Sequence, residues 1–294
     1  VNYHVSTISF EAADGFELAA CVYTPLAKTA NKKVLLIGSA FGVPYQYYKH
    51  FAGYLAEQGI TVVSFDYRGI SHSQQGNMPT EEILMQHWGE LDLEAAIQFI
   101  KSTYSPEQLY YMGHSAGGQI IGLSPSSLEF DKVIIAASGV GSWRLWPGLQ
   151  KYGLAAIWYL VFPAVMSVQF GDFFKSRFLG PTPVPKNAVK QWLRWARSRE
   201  YLFTPEHGID TQGYRNIDAD ILALTISDDW YAPSQARDGL LKHYPKCKQT
   251  ILNITPASIG VKKIGHFGLF KKKQEIEQGI WQPIANFLNQ KEGL

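Results

Sequence analysis

Ser115 stands in Y-M-G-H-S-A-G-G, residues 111–118, behind the apolar run L-Y-Y-M and between Gly113 and Gly117. A serine hydroxyl is a weak nucleophile at neutral pH. It needs a base within hydrogen-bond reach, a carboxylate to orient the base, and donors aimed at the developing oxyanion. The chain offers candidates for each part. I-G-H-F-G, 264–268, sets His266 between glycines ahead of a C-terminal helix pattern. I-S-D-D-W-Y-A-P, 226–233, supplies two carboxylates. Asp229 is preferred because it precedes Pro233 by four residues, where a turn leads into a helix; Asp228 is the alternative. Such a set performs acyl transfer: serine attacks a carbonyl carbon, histidine moves the proton and aspartate holds the imidazole.

The oxyanion donors are expected from the backbone. The Ala116 N–H opens the helix after the serine. A second donor should follow the strand 33–38, where the chain reads G-S-A-F-G-V-P. Phe41 is the assignment there, with Ala40 as the alternative. Among the other histidines, His4 and His50 read as surface residues. His114 adjoins the serine, but a sharp turn would point it away.

These residues fall at the ends of elements that the pattern predicts. Two strands fill the first 25 residues, joined at Asp14-Gly15. K-V-L-L-I-G (33–38), I-T-V-V-S-F (60–65), Q-L-Y-Y-M (108–112), K-V-I-I-A-A-S (132–138) and I-L-A-L-T-I-S (221–227) are short apolar runs suited to strands buried on both faces. Helices are predicted over 46–58, over 81–102 with Thr80 as cap, from Ala116 to before Pro125, over 233–244 and over 274–290, with a further strand at 248–255. The alternation predicts an α/β chain with a mostly parallel sheet between helices. In such sheets ligands bind at the carboxyl ends of the strands, where Phe41, Asp66, Ser115, Asp229 and His266 lie. Residues 141–215 break the alternation, with many aromatics and P-T-P-V-P at 181–185.

Composition narrows the partners. The net charge of +2, from 27 basic and 25 acidic side chains, creates no field that favours nucleic acid. Cys21 and Cys247 have no metal-ligand spacing, and neither a metal nor a cofactor is expected. No charged-then-apolar leader is read at the N-terminus, so a cytoplasmic setting is the expectation. Residues 152–171 carry no charge and approach the ~20 apolar residues that span a bilayer. With Gly153, Pro163, Ser167 and Gln169 inside the run, the expectation is a buried or substrate-facing helix pair broken near Pro163, without stable membrane insertion.

Taken together, GHSAGG, FDYRGISHS, SDDWYAP and IGHFGLF resemble the α/β-hydrolase superfamily over nearly the whole chain. GSAFGVPYQYY and KQWLRWARSREYLF carry a closer resemblance to a bacterial group near its serine aminopeptidase and monoacylglycerol lipase branch. Two positions depart from the family's pattern: Ser39-Ala40 stands where His-Gly is frequent, and Ser71 where a glycine is common. The resemblance implies the α/β-hydrolase fold, with 1–140 and 216–294 as core and 141–215 as a helical cap. It also implies a serine hydrolase acting on a small-molecule ester or amide, without a cofactor. Trp143, Trp146, Trp158 and Phe162 are the cap residues expected to bind substrate. An acyltransferase on the same triad, or a binding protein that has lost catalysis, are the alternatives. The oligomeric state is not legible.

Overall fold

The structure is a computed structural model that describes residues 2–26, 30–74 and 78–290. The described residues form ten strands in chain order: β1 (Tyr3–Glu11), β2 (Glu17–Pro25), β3 (Lys33–Gly38), β4 (Ile60–Phe65), β5 (Gln108–His114), β6 (Lys132–Ala136), β7 (Phe173–Phe174), β8 (Val184–Pro185), β9 (Asp220–Ile226) and β10 (Gln249–Ile254). Eight of them form one sheet in the order β1-β2-β4-β3-β5-β6-β9-β10. β2 runs antiparallel to both β1 and β4, and the other neighbours are parallel. β7 and β8 pair only with each other.

The apolar runs become central strands because both of their faces are covered. Val34 and Leu36 of β3 join one buried cluster, while Leu35 and Ile37 join the other. β5 splits the same way, with Leu109 and Tyr111 on one face and Tyr110 and Met112 on the other. A period of two thus sends neighbours in one strand to opposite cores. Edge strand β10 is the contrast, with most of its residues exposed.

The first helix, α1 (Lys49–Glu57), falls inside the span predicted for it, and three other elements differ from expectation. The helix predicted from residue 81 starts at Met85, and Thr80 opens only a short 3-10 turn, Thr80–Glu82. Ile83 and Leu84 are extended, so the helix, α2, covers 85–104. Burial explains the late start. The Trp88 indole N–H donates to the Arg68 carbonyl, and Asp92 pairs with Arg68 at 2.6 Å, so α2 is pinned where it can reach Arg68. After Ser115 the helix is short: α3 (Ala116–Gln119), followed by a 3-10 turn at Ile121–Leu123. Its glycine pair has poor helix propensity.

The third difference is the charge-free run. It is one helix, α4 (Gln150–Val168), not a broken pair. A wide turn at Ile157–Val161 ends two residues before Pro163. Proline lacks the N–H for a regular helical bond, and the wider turn absorbs that loss without ending the helix. α4 lies in the connection between β6 and β9, which also holds β7, β8 and α5 (Lys186–Arg197).

Candidate active site

The serine sits on a strained turn. Ser115 follows β5 and precedes α3 with φ of 52° and ψ of −114°. A non-glycine residue there costs on the order of 1–3 kcal/mol, and surrounding contacts must hold it. Its N–H donates to the Ala136 carbonyl at 3.0 Å, and its carbonyl accepts the Ser138 hydroxyl at 2.6 Å. The flanking glycines are a steric requirement. A Cβ on Gly117 would stand 2.2 Å from the Gly38 carbonyl oxygen, and one on Gly113 would stand 2.4 Å from the Gly118 nitrogen.

The tertiary fold brings the three sequence candidates into one hydrogen-bonded chain. His266 Nε2 lies 2.8 Å from Ser115 Oγ, and His266 Nδ1 lies 2.8 Å from Asp229 Oδ2. A carboxylate only accepts, so Nδ1 carries the proton and Nε2 is left to accept from the serine hydroxyl. Asp229 also accepts the Tyr231 N–H at 2.8 Å, which fixes its carboxylate after β9. The Tyr231 ring stacks on the imidazole, centroids 4.6 Å apart. Asp228 points elsewhere. Its two oxygens accept the Ile264 and Gly265 N–H groups at 3.0 and 2.9 Å, bracing the loop that carries His266.

The oxyanion candidates separate in the same manner. The Ala40 N–H donates to the Tyr48 hydroxyl at 2.9 Å, so it is already engaged. Phe41 lines the cavity in front of Ser115. Ala116 is the first residue of α3, where an N–H has no acceptor within the helix. The loop between is held from below: Asp66, buried beneath it, accepts the Tyr45 N–H at 2.6 Å. Burial pushes the Asp66 carboxyl above its ordinary range, and hydrogen bonds from His72 and Tyr45 oppose that.

One relay was invisible in the sequence. The His114 Nε2–H donates to the His266 backbone carbonyl at 3.0 Å. The neutral ring's Nδ1 must then accept, and it takes the Tyr48 O–H at 3.0 Å. Burial, and then the neighbouring His266, hold His114 well below the usual histidine value. Ala40, Tyr48, His114 and His266 thus form a continuous buried line from the oxyanion loop to the base.

A cavity enclosing about 550 Å³, its open mouth included, lies over Ser115 and His266. Trp146 and Trp158 line it, and so do Phe178, Trp192, Trp230 and Tyr231. Trp143 and Phe162 correct the expectation. Trp143 is covered by the Arg144 guanidinium, 4.5 Å from its ring centroid, away from the cavity. Phe162 is buried one layer behind, against Trp158 and Phe174. Trp158 and Phe162 sit four residues apart on one helix, and only packing separates wall from support. Arg194 and Arg197 do not line the cavity either, and bond the Glu206 and Trp158 carbonyls instead.

Comparison with known proteins agrees with this architecture. Residues 29–165 match the family described as serine aminopeptidase, S33. No curated protein matches the chain in sequence. Among solved structures, Est1E from Butyrivibrio proteoclasticus, with ferulic acid bound, is similar at 15% identity and a TM-score of 0.60, over 96% of this chain and 97% of that one. The esterase domain of a Rhodothermus marinus protein is similar at 15% identity and a TM-score of 0.58, over 97% of each chain. The acylaminoacyl peptidase of Pyrococcus horikoshii is similar at 13% identity and a TM-score of 0.61, over all of this chain and 43% of that one. This chain has the α/β-hydrolase fold. In that fold Ser115 lies on the sharp turn between a central strand and the following helix. The sequence match includes Ser115 and ends before Asp229 and His266, so the geometry alone connects those two to the serine.

Proposed function

We propose that this α/β-hydrolase-fold chain is a serine hydrolase that cleaves a small or medium carboxylic ester through an acyl-enzyme. The observation that carries the reading is the Asp229–His266–Ser115 chain, with 2.8 Å at each link, opening into an aromatic cavity. Ser115 Oγ attacks the acyl carbon while His266 Nε2 takes its proton. The Phe41 and Ala116 N–H groups hold the oxyanion, and Asp229 stabilises the imidazolium. The same imidazolium then protonates the departing alkoxide. Water, deprotonated by His266, hydrolyses the acyl-serine and restores the enzyme. The segment 141–215 serves as a cap whose tryptophans wall the acyl site, in the cytoplasmic setting suggested by the free thiols Cys21 and Cys247.

Ester is favoured over aminopeptidase chemistry by charge. No Asp, Glu, Lys or Arg is among the described residues lining the cavity. A substrate with a free α-ammonium would lose its hydration there without gaining an anionic partner. The test uses a fluorophosphonate and two substrate classes. The expected results are an adduct on Ser115, hydrolysis of p-nitrophenyl acyl esters, and none of aminoacyl p-nitroanilides. Folded protein without an adduct on Ser115 would sink the proposal.

A further inference from the structure

Helix α4 buries only Leu154, Trp158, Phe162 and Met166, a single stripe at four-residue spacing. A four-residue step drifts around a regular 3.6-residue helix, and the wide turn at Ile157–Val161 resets that drift. The rest of a helix packed by one stripe is ordinarily polar. Here it is not. No charged residue lies between Lys151 and Asp172. Tyr152, Leu160, Val161, Val165 and Val168 are exposed, and Leu149 and Phe170 just beyond the ends are 83% and 101% exposed. Of the twelve exposed large apolar side chains among the described residues, eight fall within 149–170. Scattered apolar residues are normal on a surface, but a concentration of this kind marks an interaction face.

The charges around the helix identify what it fits. Residues 141–199 contain nine Lys and Arg and one acidic residue, Asp172, in a chain whose net charge is only +2. Lys186, Lys190 and Arg197 border a groove shared with Pro163, Met166 and Ser167 of α4. The Arg197 guanidinium lies 5.0 Å from the Tyr159 ring centroid, and the Lys151 ammonium lies 5.2 Å from that of Tyr152. An apolar helix whose single charge, Lys151, sits in its first turn, with a cationic border, matches an anionic lipid interface, acyl chains below and phosphates at the rim. Two copies of this face would bring like charges together, which opposes self-association.

We propose that the outer face of α4 docks the protein onto an anionic lipid bilayer, lying in the interface and not crossing it. The inner stripe stays packed on the protein, where Leu154 and Trp158 line the cavity over Ser115. Docking therefore places the bilayer on one side of the helix and the candidate active site on the other.

Vesicle flotation of the full chain tests this. The probes are vesicles of phosphatidylcholine alone and with about 30% phosphatidylglycerol, at about 0.1 M and 0.5 M salt. The expected result is at least about tenfold stronger binding to the anionic vesicles, largely lost at the higher salt. Leu160→Asp and, separately, Phe170→Asp should each weaken that binding severalfold, as should Lys151→Glu with Lys190→Glu. Far-UV circular dichroism and the thermal transition identify variants that remain folded. Phe170 lies beyond the end of α4 and is fully exposed, so its variant reads docking without disturbing the packed stripe. Equal or absent binding to both vesicle types overturns the proposal. Undiminished binding by folded Phe170→Asp also overturns it, as does a dimer in solution, broken by Phe170→Asp, in a chain that ignores vesicles.

Discussion

Two adjacent aspartates, Asp228 and Asp229, show how much one residue's direction decides. Asp229 meets the imidazole, and Asp228 braces the loop beneath it. Asp229→Asn should therefore lower kcat by roughly 10³–10⁴, because the wrong tautomer is stabilised. Asp228→Asn loses one of two backbone acceptors and should cost about tenfold. Steady-state hydrolysis of a p-nitrophenyl ester measures both, and the reverse order would move the acid to Asp228. The buried relay offers a second test. Tyr48→Phe removes the acceptor of the Ala40 N–H and the donor to His114. Loosening both loops should lower kcat about tenfold, the worth of one buried hydrogen bond, with KM little changed. Faster amide exchange at Ala40 should accompany it. Unchanged kcat with unchanged exchange would show that the relay positions nothing.

The elements make opposite demands on glycine. At the serine turn, Gly117 is pressed against the Gly38 backbone, which cannot step aside. Gly117→Ala should destabilise the protein by about 1–3 kcal/mol, as overpacking does. In α4 a Cβ on Gly153 would meet nothing within 4 Å, and the residue lies inside the helix. Gly153→Ala should stabilise by about 0.5–1 kcal/mol through helix propensity. Chemical denaturation at one pH compares the pair, and equal shifts would contradict the packing around the serine turn. Most strands were legible because period two and apolar runs are local signals. The start of α2 was not, because its partner Arg68 is remote in sequence and only folding shows that Trp88 and Asp92 must reach it.

Across the whole molecule, buried imidazoles couple stability to pH. Burial depresses His114 well below its ordinary value, lowers His243 to about 4, and lowers His87 and His207. A group depressed in the folded state contributes its full stability above the unfolded value near 6.5 and loses it as pH falls below that value. The unfolded chain takes up protons that the folded chain refuses. Between pH 7.5 and 6, fully buried His114 alone should remove about 1 kcal/mol. Asp92, pushed up to about 6 by burial against the pull of Arg68, begins to work the other way only at the lower end of that window. Urea midpoints should fall from pH 7.5 to 6. A midpoint that is flat or rises across that window would contradict a neutral buried His114.

The sequence by itself determined the strand runs, the glycine-flanked serine and the order Ser115, Asp229, His266, because each is written in a few neighbouring residues. It also carried the charge-free run and the cationic surroundings of α4. What only the tertiary structure decided depends on where side chains point after distant segments meet. That includes which aspartate reaches the imidazole, which backbone N–H near residue 40 is already engaged, and which aromatics face the cavity. Trp158 lines the wall and Phe162, four residues on, supports it from behind. The outer face of α4 belongs to the same class. Hydropathy marks the helix as apolar, but only packing shows that most of that apolar surface is left facing outward.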